Sequence, residues 1–190
     1  QETRNAAAQL YLEFLLAGPT RAGQLHADPH PGNFRITPAG RLGILDFGAV
    51  NRLPGGLPLA LGRLLTLALA GEADALVAGL RQEGFIRESG KADADELLSY
   101  LMMFIEPLTY ETYRFDRAWL RSITLRMNDI RRPEWAVGMK FNLPPEYLLI
   151  HRVWLGGIGV LCQIGAELAP REALSRYLPE FDLSAIPPGR

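Results

Sequence analysis

Apolar positions along this chain recur mostly at helical intervals. Over residues 3–17, Ala7, Leu10, Leu12, Phe14 and Leu15 fall near one helical stripe, and Gly18-Pro19 is expected to end it. Residues 23–33 hold two glycines and two prolines and are expected to be loop. The periodicity then shortens. Residues 34–37 and 41–45 are strand candidates, joined by Pro38-Ala39-Gly40 as a tight hairpin. Beyond Gly48 the helical period returns. Residues 58–70, 73–82, 92–104, 116–127, 145–162 and 171–178 all read as helices, with Pro or Gly at most joints. Asp93 and Asp116 are N-cap candidates, and Pro145 suits a first helical turn. The pattern predicts a mainly α fold with a small β-hairpin. Strands and helices do not alternate, which argues against a doubly wound parallel sheet. No internal repeat or low-complexity linker interrupts the chain.

Composition changes this picture little. The chain has 190 residues, of which 48% are apolar, enough for one domain with a sizeable core. A formal net charge of −1 argues against a nucleic-acid surface. Cys162 is the single cysteine, so an internal disulfide is excluded; its apolar neighbours predict a buried thiol in a reducing compartment. No signal peptide is visible. The charge-free run over residues 153–166 is 14 residues, short of the ~20 that span a bilayer, and a soluble, cytoplasmic chain is expected. The start without Met, already in helical pattern, suggests a piece of a longer protein. Abundant Ala, Leu, Arg and Gly hints at a GC-rich bacterial source.

The chemistry concentrates in residues 26–50, HADPHPGNFRITPAGRLGILDFGAV. Asp28 and Asn33 lie on a Pro-braced loop, and Asp46 follows the second strand of the hairpin. A hairpin that turns between Asn33 and Asp46 brings its two ends together, so three oxygen-bearing side chains converge. Carboxylate and amide oxygens suit a hard cation such as Mg²⁺, which keeps several waters and leans on substrate phosphates. Such a metal beside a carboxylate that orients a nucleophile makes a phosphoryl-transfer site.

The order His26-Ala27-Asp28, four residues, Asn33, then Asp46-Phe47-Gly48 follows the spacing of a protein-kinase catalytic loop and metal-binding Asp-Phe-Gly. Taken together, His-Ala-Asp-Pro-His-Pro-Gly-Asn and Leu-Asp-Phe-Gly resemble the UbiB/AarF family of atypical protein-kinase-like proteins, linked to ubiquinone and other isoprenoid-lipid metabolism. Leu143-Pro144-Pro145-Glu146 and the helix after it sit where the family has similar segments, so most of residues 1–165 resemble its C-terminal kinase lobe. The specific part is residues 26–48. The resemblance implies a C-lobe over residues 1–190, with Asp28 as the catalytic-loop Asp. It implies Asn33 and Asp46 as metal ligands, and His30 with them near the phosphates of ATP. Mg²⁺ and ATP are the implied cofactors. An N-lobe, and an isoprenoid lipid or membrane surface met through the intact protein, are the implied partners, with a peripheral inner-membrane location.

The departures matter as well. Ala27 replaces the usual Arg, no Ala-Pro-Glu follows Asp46, and no phosphate-covering loop, strand Lys or Lys-x-Gly-Gln segment can be placed in the 25 residues before His26. This chain alone is therefore expected to be inactive. Two alternatives stand beside the kinase-or-ATPase reading: a small-molecule phosphotransferase resembling aminoglycoside or choline kinases, and an inactive kinase-like binding module. Of the remaining polar residues, His26 is expected to brace the loop and His151 to be partly buried. Residues 126–132 are expected to form a solvated helix end, and Trp119, Trp135 and Trp154 to be core.

Overall fold

The computed structural model describes residues 1–87 and 93–190. Its first helix, α1 (Glu2–Ala22), runs through Gly18-Pro19, which had been expected to stop it. Pro19 is buried, and a Cβ on Gly18 would sit 2.6 Å from the Gln24 carbonyl oxygen. The glycine thus marks a close crossing rather than a stop. The helix ends at Gly23, where φ of 62° needs no Cβ and the amide returns to the Gly18 and Pro19 carbonyls.

Residues 23–33, expected to be loop throughout, begin with a short strand, β1 (Gln24–His26), and end in a single 3-10 turn, Pro31–Asn33. The hairpin forms where the pattern placed it. β2 (Phe34–Ile36) and β3 (Leu42–Ile44) pair antiparallel with Phe34 opposite Ile44, and Gly40 takes the left-handed turn position at φ 72°. A strand that periodicity missed, β4 (Val50–Arg52), pairs antiparallel with β1, His26 opposite Val50. Three residues carry too little pattern to be read from sequence. The two ladders are therefore nested: β1–β4 outside, β2–β3 inside.

Helices make up most of the remainder. α2 (Leu59–Ala70), α3 (Ala73–Gln82) and α4 (Ala94–Ile105) pack around Leu64, Leu76, Val77, Leu80 and Leu97. The helix expected from residue 92 starts at Ala94; Ala92 lies outside the described residues. Asp93 caps it by accepting from the Glu96 amide at 3.0 Å. β5 (Tyr113–Arg114) precedes α5 (Arg117–Asn128), which Asp116 caps through the Trp119 amide at 2.8 Å. α6 (Pro133–Gly138) was not anticipated; Pro133 supplies its first turn. A 3-10 turn over Pro145–Tyr147 leads into α7 (Leu148–Ile164), then β6 (Glu167–Leu168), paired with β5, and α8 (Pro170–Tyr177).

α7 is the central helix of the larger core, with Ile150, Val153, Val160 and Leu161 buried against Tyr11 and Leu15 of α1 and the Leu25–Ala27 segment. By length and composition Pro145–Ile164 could cross a membrane, at 20 residues and mean hydropathy 1.4, which the charge-free count did not register. In this fold it serves as a core helix and carries Arg152 on its exposed side. Tyr147 donates to Glu83 at 2.8 Å, and Arg63 pairs with the same carboxylate at 3.1 Å, tying the α7 entrance to α2 and α3. Cys162 is buried, as its neighbours implied, and burial pushes its thiol up to about 12. Trp119 and Trp154 pack against the core, but Trp135 is 39% exposed, because α6 is a short surface helix.

Candidate active site

The nested ladders build the site. Between them, residues 28–33 and 45–48 form an unpaired bubble, closed at one end by the Ala27 amide on the Ala49 carbonyl (2.9 Å) and at the other by the Leu45 amide on the Asn33 carbonyl (2.8 Å). Asp28, Asn33 and Asp46 all stand on that bubble. Two strand pairs, each only three residues long, bound the loops that carry these three residues, and the Asn33 side chain meets Asp28 directly.

His26 crosses the bubble from beneath. It is buried, its Nε2 donates to the Asp46 carbonyl at 2.6 Å, and its ring packs among Phe14, Phe34 and Phe47. That contact assigns the proton to Nε2 and leaves Nδ1 a buried acceptor without a partner. The bracing role expected of His26 is the one its contacts describe. Tyr11 holds the loop from the other side, donating to the Pro29 carbonyl at 2.7 Å; burial raises the Tyr11 phenol well above its ordinary value.

Asn33 donates through Nδ2 to Asp28 Oδ2 at 2.8 Å and to the Asp28 carbonyl at 3.2 Å. Its Oδ1 thereby keeps its lone pairs available. Asp46 accepts the Gly48 amide on Oδ1 at 2.6 Å, leaving Oδ2 without a protein partner among the described residues. Amide and carboxylate oxygens of this kind are the chemistry a hard divalent cation takes alongside water and phosphate. Among the described residues there is no group of three or more His, Cys, Asp or Glu that could hold a metal ion. His30 spends Nδ1 on the Gly32 amide at 3.0 Å, which shapes the 3-10 turn, and it stands exposed beside Asp28.

Residues 1–78 match the family described as the ABC1 atypical kinase-like domain. Over those residues the chain is similar to the ABC1 family of atypical kinase-like proteins. This is the UbiB/AarF group that the motif resembled. A 32-residue stretch is 56% identical to the chloroplastic Protein ACTIVITY OF BC1 COMPLEX KINASE 3 of Arabidopsis thaliana, covering 17% of this chain and 4% of that protein. The solved complex of Rv3197 with erythromycin from Mycobacterium tuberculosis is 31% identical, with a TM-score of 0.83 over 98% of this chain and 45% of that one. The chain thus spans less than half the length of either relative. Fold and family agree on a kinase-like α+β lobe.

One site contact in this chain escaped the sequence reading. Arg152, in the second turn of α7, reaches Asp28 Oδ1 at 3.2 Å. The available signal was the one charged residue in a mostly apolar helix, but its partner lies 124 residues away in sequence and no spacing rule could name it. Asn33 first, and Arg152 after it, hold the Asp28 carboxyl below the usual carboxylate value. His151, expected to be partly buried, lies exposed next to Arg152, although contact with the fold still lowers its pKa by desolvation. The 126–132 segment is the solvated helix end expected of it: Arg126 pairs with Glu134 at 2.7 Å, and Arg131 and Arg132 both reach Asp129.

Proposed function

We propose that this ABC1 lobe works in an ATP-dependent phosphotransferase or ATPase serving isoprenoid-lipid or quinone metabolism, at or near a membrane surface. Residues 1–190 then act as its C-terminal lobe. The observation that carries the reading is the free pair of oxygens, Asn33 Oδ1 and Asp46 Oδ2, on the same bubble as the ionised, doubly held Asp28. In this reading Asn33 and Asp46 hold Mg²⁺, whose charge offsets that of the transferred phosphate. Asp28 orients the acceptor hydroxyl or water and takes up its proton, His30 stands toward the phosphates, and His26 holds Asp46 in place through its backbone.

A second reading, transfer to a small molecule as aminoglycoside and choline kinases perform it, draws support from the Mycobacterium relative, solved with the small molecule erythromycin. Both readings share the site and differ in the acceptor. Their common test separates a binding carboxylate from a positioning one. Asp46→Asn should abolish Mg-dependent ATP turnover by removing the charge that holds the metal. Asp28→Asn should lower turnover by about 10²-fold or more while nucleotide affinity stays near wild type. ATPase rates and Mg-nucleotide dissociation constants of the intact protein decide it. Wild-type turnover in the Asp46 variant refutes the metal role, and equal loss of affinity in both variants refutes the division of labour.

A further inference from the structure

Asp28 faces two neighbourhoods. Asn33 stands on one side, donating to its Oδ2 at 2.8 Å. On the other opens a pocket of about 530 Å³, between the residue 28–31 turn and helices α5 and α7, and neither Asn33 nor Asp46 lines it. The volume falls within the range of roughly 300–1,000 Å³ usual for small-molecule sites. Leu120, Val160 and the glycine face of α7 make its walls largely apolar, and Arg117 and Arg152 stand at its edge.

Two details point to an occupant. Gly159 sits in mid-helix without positive φ, and a Cβ there would meet nothing within 4 Å. Neither backbone geometry nor a close neighbour requires glycine at this position, and glycine weakens a helix. What its missing side chain leaves is open pocket. Arg117 is exposed in the first turn of α5 and has no ion-pair partner among the described residues, whereas the neighbouring Asp116 carboxylate is engaged in capping Trp119. Arg152 pairs with Asp28. The pocket therefore presents an exposed arginine without an ion pair, an apolar wall and the Asp28 carboxylate.

We infer that this pocket is the acceptor site and takes a small amphipathic molecule bearing a hydroxyl and an anionic group, a carboxylate or a phosphate. The inference rests on the phosphotransfer reading above. The anion lies against Arg117, the apolar body crosses Gly159 and Val160, and the hydroxyl reaches Asp28. Its oxygen forms the new bond to the γ-phosphorus of ATP as the bond to the β,γ-bridging oxygen breaks. ADP leaves with that electron pair, and the hydroxyl proton passes to Asp28 and on to solvent.

Binding to the full chain can be measured by calorimetry with ω-hydroxydodecanoate and with the matching uncharged diol. The wild type should prefer the acid by about tenfold, the worth of one charge-assisted contact. Arg117→Gln should remove that preference and keep diol binding. Gly159→Leu should remove binding of both probes while thermal unfolding remains cooperative; if it does not fold, Arg117→Gln still decides. Absence of binding, equal affinity for acid and diol, or a preference that survives Arg117→Gln overturns the acceptor assignment. Probe binding with these responses, in a protein that turns over no Mg-ATP, would keep the pocket and remove phosphotransfer. Loss of turnover in Asp46→Asn without probe binding would do the reverse.

Discussion

At the scale of single residues, Asp28 carries the most constraint. Its two carboxylate oxygens are taken up by different elements, Oδ2 by Asn33 and Oδ1 by Arg152. Both contacts favour the charged form, so the folded-state pKa lies below the unfolded value of about 3.9. A depressed carboxyl stabilises the fold above the unfolded pKa and loses that contribution as pH falls through the lower folded value. From pH 5 upward the Asp28 contribution should therefore be flat, and an acidic limb of turnover near pH 6 must belong to another group. Asn33→Ala removes the largest of the lowering contacts. The Asp28 carboxyl titration, followed by ¹³C NMR, should shift upward in that variant; an unmoved titration would mean that Asn33 does not hold the charge.

At the scale of elements, α7 does two jobs through two glycines. A Cβ on Gly156 would lie 2.4 Å from Pro29 Cγ, whereas one on Gly159 would meet nothing. Pro29 has little room to yield, since its ring is rigid and its carbonyl accepts from Tyr11. Gly159→Ala should raise stability by about 0.5–1 kcal/mol, the usual helix gain over glycine. Gly156→Ala should instead cost about 1–3 kcal/mol by overpacking and displace the turn that carries Asp28. Urea unfolding of the two variants compares them directly. Stabilisation by both substitutions would show that α7 does not brace the loop. Two nested strand pairs explain why such short strands hold: each bounds the bubble, and the buried His26 adds a third tie across it.

At the scale of the whole molecule, the candidate site side chains lie on the nested strand segment of a lobe whose interior is two packed clusters. The oxygens proposed to hold the metal and the pocket proposed to take the acceptor both lie in this chain, but the described residues add no glycine-rich cover or lysine over a nucleotide. Residues 1–190 on their own should therefore bind Mg-ATP no tighter than millimolar, about −4 kcal/mol. Titration calorimetry tests this, and a micromolar dissociation constant would place a complete nucleotide site within these residues.

What the sequence determined by itself is what local chemistry determines. The intervals from His26 to Gly48, the Pro38-Ala39-Gly40 turn and the Asp93 and Asp116 caps each involve residues close along the chain, so spacing and side-chain type suffice. Tertiary structure alone decided the rest. α1 continues through Gly18-Pro19 because β1 packs across the glycine, which no local propensity registers. β4 exists because β1 offers it a partner, since three residues have no strand pattern of their own. The Arg152 contact to Asp28 and the pocket beside it join residues more than a hundred positions apart. Such contacts depend on how α7 lies in the core, and a linear pattern of apolar residues specifies that α7 is buried but not what its exposed face will meet.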